Sequence, residues 1–540
     1  MATPSRKPIN FGLLFDWHAG KEHQTEIHLD RPFDIAPERG TVYDGIALAA
    51  LVREAGDWLY AAGLRAGDTL ALVKRNHFDT VLLAGAAARI GVLPVLMSPV
   101  VRPDHLRVMI ERAAPRAVLT SPEVLERAAK DGVRLTGPGV RVLVAGEAAG
   151  AEPPDGTVPL ESLRGGPAAP ARPRRDDEPM IVTHTSGTTG VPKLVVHAAS
   201  TSLGTFPFQL ESKRLPMVTS SRRDVVAGCF SFVHNRLVSW TSAQFSLAPK
   251  RVVTLSDPGL DTVERMLAAH RPTSLEALPN MFQHWEELAD RRPELFARVR
   301  RFNSTFDAVH PRTVRTFLNV SRSRFPVWAT GLGQSEIAGI SMNVFTRRQA
   351  RRWEGAQRDT TNVGYPPLVR VKVVDPQSGR RLGRGEPGLL MVAGKARCLT
   401  YLGEDDRYRA KLVDGWWNSG DLGERGRFGR IRMLDREVDV LPGMSCIELE
   451  STLLDRLPKA SEVTVLGVPG GPPVPVLCMR DNHLDPAEWA RATAGLPPLG
   501  EPRLVPWDEV PRTATWKVRR LELREMVLGT GEVLGTGKWT

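Results

Sequence analysis

The amino-acid sequence predicts an α/β fold whose large part is built from doubly wound parallel sheets. Segments with a helical spacing of apolar residues alternate with short apolar runs; the segments are 43–64 and 76–90, and the runs are 69–73, 92–97, 117–120 and 141–144. Helices that alternate with buried strands are typical of parallel sheets covered on both faces. The chain has 540 residues, which is too long for one compact core, so we expect two or more domains.

The composition is typical of a globular enzyme, with 42% hydrophobic and 25% charged residues. The net charge of +11 would suit an anionic substrate such as ATP. The basic residues are scattered, apart from short clusters such as Arg172-Pro-Arg-Arg175, and no basic stripe is interleaved with aromatic residues. We therefore expect no nucleic-acid partner.

The cysteines and the apolar runs indicate the compartment. The four cysteines lie far apart in the sequence: Cys229, Cys398, Cys446 and Cys478. This spacing indicates neither a metal-binding pair nor a disulfide framework. No apolar signal core follows Met1, and the longest apolar run, 80–97, is interrupted by Arg89. We expect a cytoplasmic protein with no membrane partner.

A segment rich in glycine, proline and charge, 146–179, is predicted to be a loop.

The run Thr183-His-Thr-Ser-Gly-Thr-Thr-Gly-Val-Pro-Lys193 predicts an anion-binding loop. Glycine lets a backbone approach a ligand closely, and exposed N–H groups, hydroxyls and a lysine together can hold a phosphate. Apolar residues on both sides place the loop between two strands. It is not the nucleotide-binding loop that opens a helix, because two residues rather than four separate its glycines. The alternative is a surface turn rich in glycine and threonine.

Four more polar groups stand at the ends of distinctive segments. His234 follows an apolar strand candidate, Glu336 ends Val327-Trp-Ala-Thr-Gly-Leu-Gly-Gln-Ser-Glu336, and Asp421 ends Trp416-Trp-Asn-Ser-Gly-Asp421. Lys517 lies in a basic C-terminal segment. Taken singly, each has a structural alternative: a core histidine, a turn aspartate or a solvated lysine.

Taken together and in this order, the motifs resemble those of the adenylate-forming superfamily. That superfamily includes acyl- and aryl-CoA ligases, peptide-synthetase adenylation domains and luciferases, and the resemblance covers residues 43–524. It implies a large N-terminal AMP-binding domain, 1–436, in which doubly wound sheets are joined by a small barrel-like subdomain. It also implies a small, mobile α+β C-terminal domain, 437–540, that carries the catalytic lysine.

The resemblance implies a role for individual residues. ATP would be held by Thr185, Ser186, Gly187, Thr188, Thr189, Gly190, Lys193, Gly333, Ser335, Asp421 and Arg436. Catalysis would fall to Lys517, His234 and Glu336, and the substrate pocket would include His234, Asn235, Asp307, His310 and Gly331. Glu336 would also bind Mg²⁺, which requires anionic oxygen ligands, and Asp421 offers two acceptor oxygens for the ribose hydroxyls.

The sequence departs from the family pattern at several positions. The family has glycine where this chain has Leu194 and Trp516, tyrosine at Leu332, a glycine pair near Phe306 and Asp307, and a charged hinge residue at Val438. The bulkier residues in place of the glycine pair would narrow or reshape the pocket, which suggests a small or polar substrate. The alternative is that this loop follows a different course.

We expect an ATP-dependent ligase that activates a small carboxylic acid as an acyl-AMP and transfers it to a thiol, either of coenzyme A or of a carrier protein. Positioning and charge neutralisation would suffice for the first step. Two alternatives stay open. One, which the altered hinge, the missing glycine pair and Trp516 favour, is a ligase with another acceptor, such as a diazotase that activates nitrite for an aryl amine. The other is a degenerate homologue that only binds nucleotide.

Overall fold

The computed structural model describes residues 10–146, 156–185, 190–215, 219–353, 360–366, 369–436, 446–513 and 515–530. Within these ranges, no helix has both the length and the apolar character that crossing a membrane requires. Four of the predicted loop residues, Ser186, Gly187, Thr188 and Thr189, lie outside the described residues, and so does Val438.

The strands and helices are numbered in chain order. The strands are β1 Glu26–Leu29, β2 Val42–Tyr43, β3 Thr69–Val73, β4 Leu93–Met97, β5 Ala117–Thr120, β6 Arg141–Val144, β7 Thr157–Pro159, β8 Pro179–His184, β9 Leu194–Ala198, β10 Val225–Cys229, β11 Arg251–Leu255, β12 Ser274–Ala277, β13 Arg301–Ser304, β14 Val327–Gln334, β15 Ala338–Thr346, β16 Asn362–Gly364, β17 Arg370–Val374, β18 Gly388–Ala393, β19 Thr400–Tyr401, β20 Leu412–Val413, β21 Trp416–Arg425, β22 Ile431–Arg436, β23 Ala460–Val468, β24 Gly471–Met479 and β25 Arg503–Leu504. The α-helices are α1 Leu14–Ala19, α2 Gly45–Ala61, α3 Asp79–Arg89, α4 Pro103–Ala113, α5 Pro122–Lys130, α6 Ala199–Ser202, α7 Phe206–Glu211, α8 Arg236–Leu247, α9 Leu260–His270, α10 Pro279–Arg291, α11 Pro311–Val320, α12 Arg347–Ala350, α13 Asp405–Arg409, α14 Cys446–Arg456, α15 Pro486–Thr493 and α16 Arg520–Leu528.

The chain forms two compact units, and the first comprises 1–274, 335–338 and 395–410. Its main sheet has the strand order β19-β9-β8-β4-β3-β5-β6-β7. Strands β4, β3, β5 and β6 run parallel to one another, and β8 and β9 form an antiparallel pair. Every residue of β4 and β5 is buried, because helices cover both faces of such a sheet and leave no polar face. The same unit contains β10, β11, β1 and β2 in adjacent positions.

The second unit comprises 275–334, 339–394 and 411–540. It holds β13 and β14 as a parallel pair and a sheet of order β16-β22-β21-β18-β17, whose neighbouring strands are antiparallel. A three-stranded sheet, β23-β24-β25, packs against α14 around a small apolar core that includes Leu453, Leu457 and Leu477.

The predicted fold class is confirmed: the chain has doubly wound parallel sheets, a barrel-like antiparallel sheet and a small α+β region near its C-terminus. Strands β3, β5 and β6 have the predicted bounds. One local prediction was wrong, because the segment 146–179 contains β7. This strand has only three residues and forms by parallel pairing with β6, so no periodicity of its own could reveal it. The boundary at Arg436 is followed by 437–445, outside the described residues, and it stays a prediction.

The first unit also contains a buried ion cluster at the end of β3. The Lys74 side chain is fully buried, and its Nζ lies 2.6 Å from Asp79 Oδ1 and 2.7 Å from Asp34 Oδ2. His77 Nδ1 lies 3.6 Å from the same Asp79 oxygen. Burial alone would raise the pKa of Asp79, but the charges of Lys74 and His77 and their hydrogen bonds lower it. The cluster therefore keeps the fully buried Asp79 carboxylate ionised.

Candidate active site

Strands β8 and β9 hold the two ends of the predicted phosphate loop together. The amide N–H of Thr185 donates to the Lys193 carbonyl at 3.0 Å, and the Lys193 N–H donates to Thr185 Oγ1 at 3.1 Å. His184 secures the first end, because its Nδ1 donates to the Thr185 carbonyl at 2.7 Å and its Nε2 accepts the Ser98 N–H at 3.0 Å. Gly190, at φ +144°, has a backbone conformation that side chains rarely adopt. The loop therefore begins and ends on a hydrogen-bonded hairpin.

Lys193, Glu336 and Tyr401 form one cluster in the first unit. The Tyr401 hydroxyl donates to Glu336 Oε1 at 2.6 Å, and Lys193 Nζ lies 5.4 Å from the Tyr401 ring centre. Burial lowers the pKa of Lys193, and the negative charge of Glu336 opposes that shift. Burial and the nearby Glu336 carboxylate raise the pKa of Tyr401, so this phenol stays protonated and remains a donor. The cluster places one cation and one carboxylate at the C-terminal end of the predicted phosphate loop.

His234 and Ser335 meet in the same unit, although they are 101 residues apart in sequence. The His234 Nδ1 accepts the Arg236 N–H at 3.3 Å, which assigns the proton of the neutral imidazole to Nε2. The Nε2 atom then donates to Ser335 Oγ at 3.0 Å. The hydroxyl of Ser335 is thereby oriented by a histidine, and Ser335 directly precedes Glu336. Asn235, which follows His234, is buried, and its Oδ1 lies 3.5 Å from Ser202 Oγ.

The second unit contains Asp421 in a hydrogen-bonded chain with Gln334 and Trp417. Gln334 Nε2 donates to Asp421 Oδ2 and to the Ser419 carbonyl, both at 2.7 Å, and Trp417 Nε1 donates to Gln334 Oε1 at 3.2 Å. Asp421 is buried and is the backbone partner of Arg436 in the β21–β22 ladder. The last residue of β14 therefore fixes a carboxylate on β21, where the sequence predicts ribose binding.

Lys517 follows a tight turn in the second unit. The Thr513 N–H donates to the Lys517 carbonyl at 2.8 Å, and the Lys517 N–H donates to Thr513 Oγ1 at 3.2 Å. Trp516, in the turn, has φ +57°, which is the left-handed conformation that favours glycine. Trp516 thus stands where the family has glycine, and its own backbone takes a conformation that favours glycine.

The remaining predicted pocket residues lie in the second unit. Gly331 and Gly333 are on β14, and a Cβ at Gly331 would come 2.6 Å from the Ser341 carbonyl oxygen, so only glycine fits there. Asp307 is exposed and accepts the Ala308 N–H at 3.0 Å. His310 is buried, hydrogen-bonded to Ser451 at 2.7 Å, and burial lowers its pKa to about 4. The roles of these residues in a substrate pocket stay predictions.

The structure adds three residues that the site prediction did not include: Tyr401, Gln334 and His184. His184 and Gln334 lie within motifs that the sequence had marked and Tyr401 lies outside them, but each makes a hydrogen bond to a predicted site residue. Two of these contacts join residues far apart, 65 positions for Tyr401 and Glu336 and 87 for Gln334 and Asp421. For Gln334 the only signal was its place inside a glycine-containing motif, and that place does not reveal its partner.

Comparison with known proteins identifies the family. A family model described as AMP-binding enzyme matches residues 22–402. The chain is 36% identical over 536 residues to a 3-amino-2-hydroxy-4-methoxybenzoate diazotase of Streptomyces cremeus, covering 96% of this chain and 95% of that protein. It is 26% identical over 530 residues to a 4-hydroxybenzoate–CoA/benzoate–CoA ligase of Rhodopseudomonas palustris, covering 92% and 90%.

The fold agrees with that of solved ligases. The crystal structure of an anthranilate CoA ligase in complex with anthranoyl-AMP matches with a TM-score of 0.77 at 18% identity, covering 96% of this chain and 98% of that one. The family match over most of the chain confirms the resemblance that the motifs suggested. This chain therefore belongs to the AMP-binding enzyme family and is an adenylate-forming ligase.

Proposed function

We propose that this enzyme is an ATP-dependent diazotase that adenylates nitrite and delivers it to the amino group of an aminobenzoate. The observation that carries the proposal is the 36% identity to a diazotase over 96% of the chain, against 26% to an aryl–CoA ligase over a similar length. The replaced glycine pair supports a small substrate. Phe306 takes φ +84°, so a side chain stands where the backbone conformation favours glycine.

The proposed reaction has two steps. In the first, a nitrite oxygen attacks the α-phosphorus of ATP, pyrophosphate leaves, and nitrite becomes a mixed anhydride with AMP. In the second, the aryl amine nitrogen attacks the nitroso nitrogen and AMP leaves. The adduct is a protonated N-nitroso amine; transfer of its two N–H protons to the nitroso oxygen and departure of that oxygen as water give the aryl diazonium ion. No coenzyme A takes part in this reaction.

The described residues have consistent roles in the first step. Lys193 and the loop from Thr185 would hold the β- and γ-phosphates, and Ser335, oriented by His234, would donate to the α-phosphate. Asp421, fixed by Gln334, would accept hydrogen bonds from the ribose. Lys517 would neutralise charge that develops on the α-phosphate. Such catalysis consists of positioning and electrostatic stabilisation, and it needs no covalent enzyme intermediate.

Glu336 fits a Mg²⁺ ion that arrives with ATP. Within the described ranges, no group of three or more His, Cys, Asp or Glu side chains could hold a metal by itself. Mg²⁺ usually keeps several waters and is bound by one or two carboxylates together with substrate phosphates. The buried Glu336 carboxylate, held by Tyr401, would supply that single protein ligand. The ion would neutralise phosphate charge during displacement.

Tyr401→Phe is expected to weaken Mg·ATP binding by about 10- to 100-fold, since a hydrogen bond to a charged group contributes about 1.5–3 kcal/mol. Isothermal titration calorimetry, without any substrate that accepts the activated group, measures the affinity for Mg·ATP directly. Tyr408→Phe is a matched control, because the Tyr408 hydroxyl donates to the Cys398 carbonyl at 2.9 Å instead of to a carboxylate. Equal loss of affinity in both variants would contradict a specific role for the Tyr401–Glu336 contact.

Pyrophosphate release from ATP tests the proposed function. The assay would use ¹⁵N-nitrite with and without a panel of hydroxylated 3-aminobenzoates, each with and without coenzyme A. We expect pyrophosphate release that requires nitrite and does not depend on coenzyme A. The diazonium product should couple to an electron-rich phenol and give a ¹⁵N-labelled azo dye. Release with an aryl acid alone, increased by coenzyme A and accompanied by a thioester, would instead establish the aryl–CoA ligase that the benzoate-ligase relative suggests.

A further inference from the structure

Trp516 is the largest departure from the family pattern next to a predicted catalytic residue. The family has glycine at this position. Trp516 itself has φ +57°, and its N–H donates to the Thr513 carbonyl at 2.9 Å. A tryptophan in this left-handed conformation is strained relative to glycine. The strain persists only if contacts made by the indole compensate for it.

Those contacts form a stack of three rings in the second unit. The Trp516 and Trp507 ring centres lie 5.4 Å apart with an interplanar angle of 21°. On the α10 side, His284 stacks on Trp507 with centres 3.9 Å apart and an angle of 9°. Burial, together with the nearby Arg512 charge, lowers the pKa of His284 to about 4, so its ring is neutral at neutral pH. The turn that carries Lys517 is thereby linked through aromatic rings to α10.

Arg512 ties the same stack to the turn and to the neighbouring sheet. Its guanidinium lies 4.6 Å from the Trp507 ring centre and 5.7 Å from that of Trp516, and Nη1 donates to the Trp516 carbonyl at 3.3 Å. The same guanidinium pairs with Glu462 on β23, and Glu462 accepts a hydrogen bond from Asn280 of α10 at 2.5 Å. Cation–π contact and a paired carboxylate hold this half-buried arginine in place.

We propose that the stack of His284, Trp507 and Trp516, braced by Arg512, is a positioning device that fixes the turn bearing Lys517, and that Trp516 is a positioning residue for adenylation. The proposal rests on the role of Lys517 given in the proposed function. In relatives with glycine at this position, the turn has no side chain through which it could be anchored. Here the indole supplies that anchor, while the backbone takes a left-handed conformation that favours glycine.

The test compares Trp516→Gly, Trp516→Phe and the control Phe428→Gly. Glycine readily adopts φ +57°, so Trp516→Gly removes the ring without forcing a new backbone conformation. Phe428 has a similar φ of +58° but is 88% exposed, so its replacement relieves the same strain and removes no stack. Hydrogen exchange of the amides of residues 513–519 is measured without substrates, and kcat and KM for ATP are measured from pyrophosphate release.

For Trp516→Gly we expect amide exchange at 513–519 to become about 10-fold faster. We expect kcat to fall about 10- to 100-fold with little change in KM for ATP, because a misplaced lysine acts mainly on the transition state. Trp516→Phe should retain most protection and activity, and Phe428→Gly should match the parent enzyme.

The inference is overturned by unchanged exchange in Trp516→Gly, by faster exchange with unchanged kcat, or by equal effects in Phe428→Gly. Failure of the proposed function is distinguishable from these results. An enzyme that adenylates an aryl acid instead of nitrite would still allow the kcat comparison with that acid, and the exchange measurement requires no substrate at all.

Discussion

Lys517→Ala is expected to lower the rate of pyrophosphate release by about 10²- to 10³-fold, the usual cost of removing one preorganised donor from a site of developing charge. ATP affinity should change little, because the lysine acts on charge that appears in the transition state and is absent from the ground state. Single-turnover release at saturating ATP measures the first effect, and equilibrium ATP titration measures the second. A decrease in rate without a decrease in affinity would identify Lys517 as a group that acts on the displacement itself.

Two further variants make this prediction specific. Lys517→Arg keeps a positive charge and should recover part of the rate, although its planar guanidinium is a different donor. Lys459→Ala removes a lysine from the same unit whose Nζ is 2.7 Å from Asp481 and whose side chain is 60% exposed. It should leave the rate unchanged. If Lys517→Ala turns over at the parent rate, the catalytic assignment of Lys517 is wrong.

Lys74→Met is expected to destabilise the protein by about 3–5 kcal/mol, because removing one partner from a buried ion cluster leaves uncompensated carboxylates. The Lys74 side chain is fully buried, and Asp79, its nearest partner, is fully buried too. Denaturant unfolding followed by circular dichroism measures the loss. The aliphatic chain of methionine fills most of the same space, so the effect would report on charge more than on packing.

The chain offers a matched control for Lys74. The Lys459–Asp481 pair has an Nζ–Oδ2 distance of 2.7 Å but is largely exposed, and exposed pairs contribute only about 0–1 kcal/mol. Lys459→Met should therefore change stability by less than about 1 kcal/mol. Equal losses in the two variants would contradict the importance of burial at Lys74.

The same cluster predicts how stability depends on pH. The pKa of Asp79 is lower in the folded protein than its ordinary value, and so is that of Asp34. The unfolded chain therefore binds more protons, and the stability that these carboxylates contribute is lost as the pH falls below about 4. Lys74 is one of the groups that lower the pKa of Asp79. Its removal takes that lowering away, so the difference in stability between the parent and Lys74→Met should shrink on acidification.

Strands were predictable wherever the pattern of apolar residues within one short segment was sufficient to indicate them. The runs that form β3, β5 and β6 are apolar because parallel strands are buried on both faces. Their bounds could therefore be recognised without knowing which strands they pair with. Strands β8 and β9 were equally clear, because apolar residues flank the loop on both sides, whereas their antiparallel pairing comes from the structure. Strand β7 was missed because three residues carry no period and its pairing with β6 is a tertiary contact.

By itself, the sequence determined the fold class, the order of the motifs and the family, because glycines, hydroxyls and charged residues at fixed spacing specify a nucleotide site locally. Only the tertiary structure decided which groups meet: Tyr401 with Glu336, His234 with Ser335, and Gln334 with Asp421. It also decided how Trp516 can replace a glycine, since the left-handed backbone is compensated by rings on distant segments. Such pairings depend on how the elements pack, and no spacing within one segment encodes them.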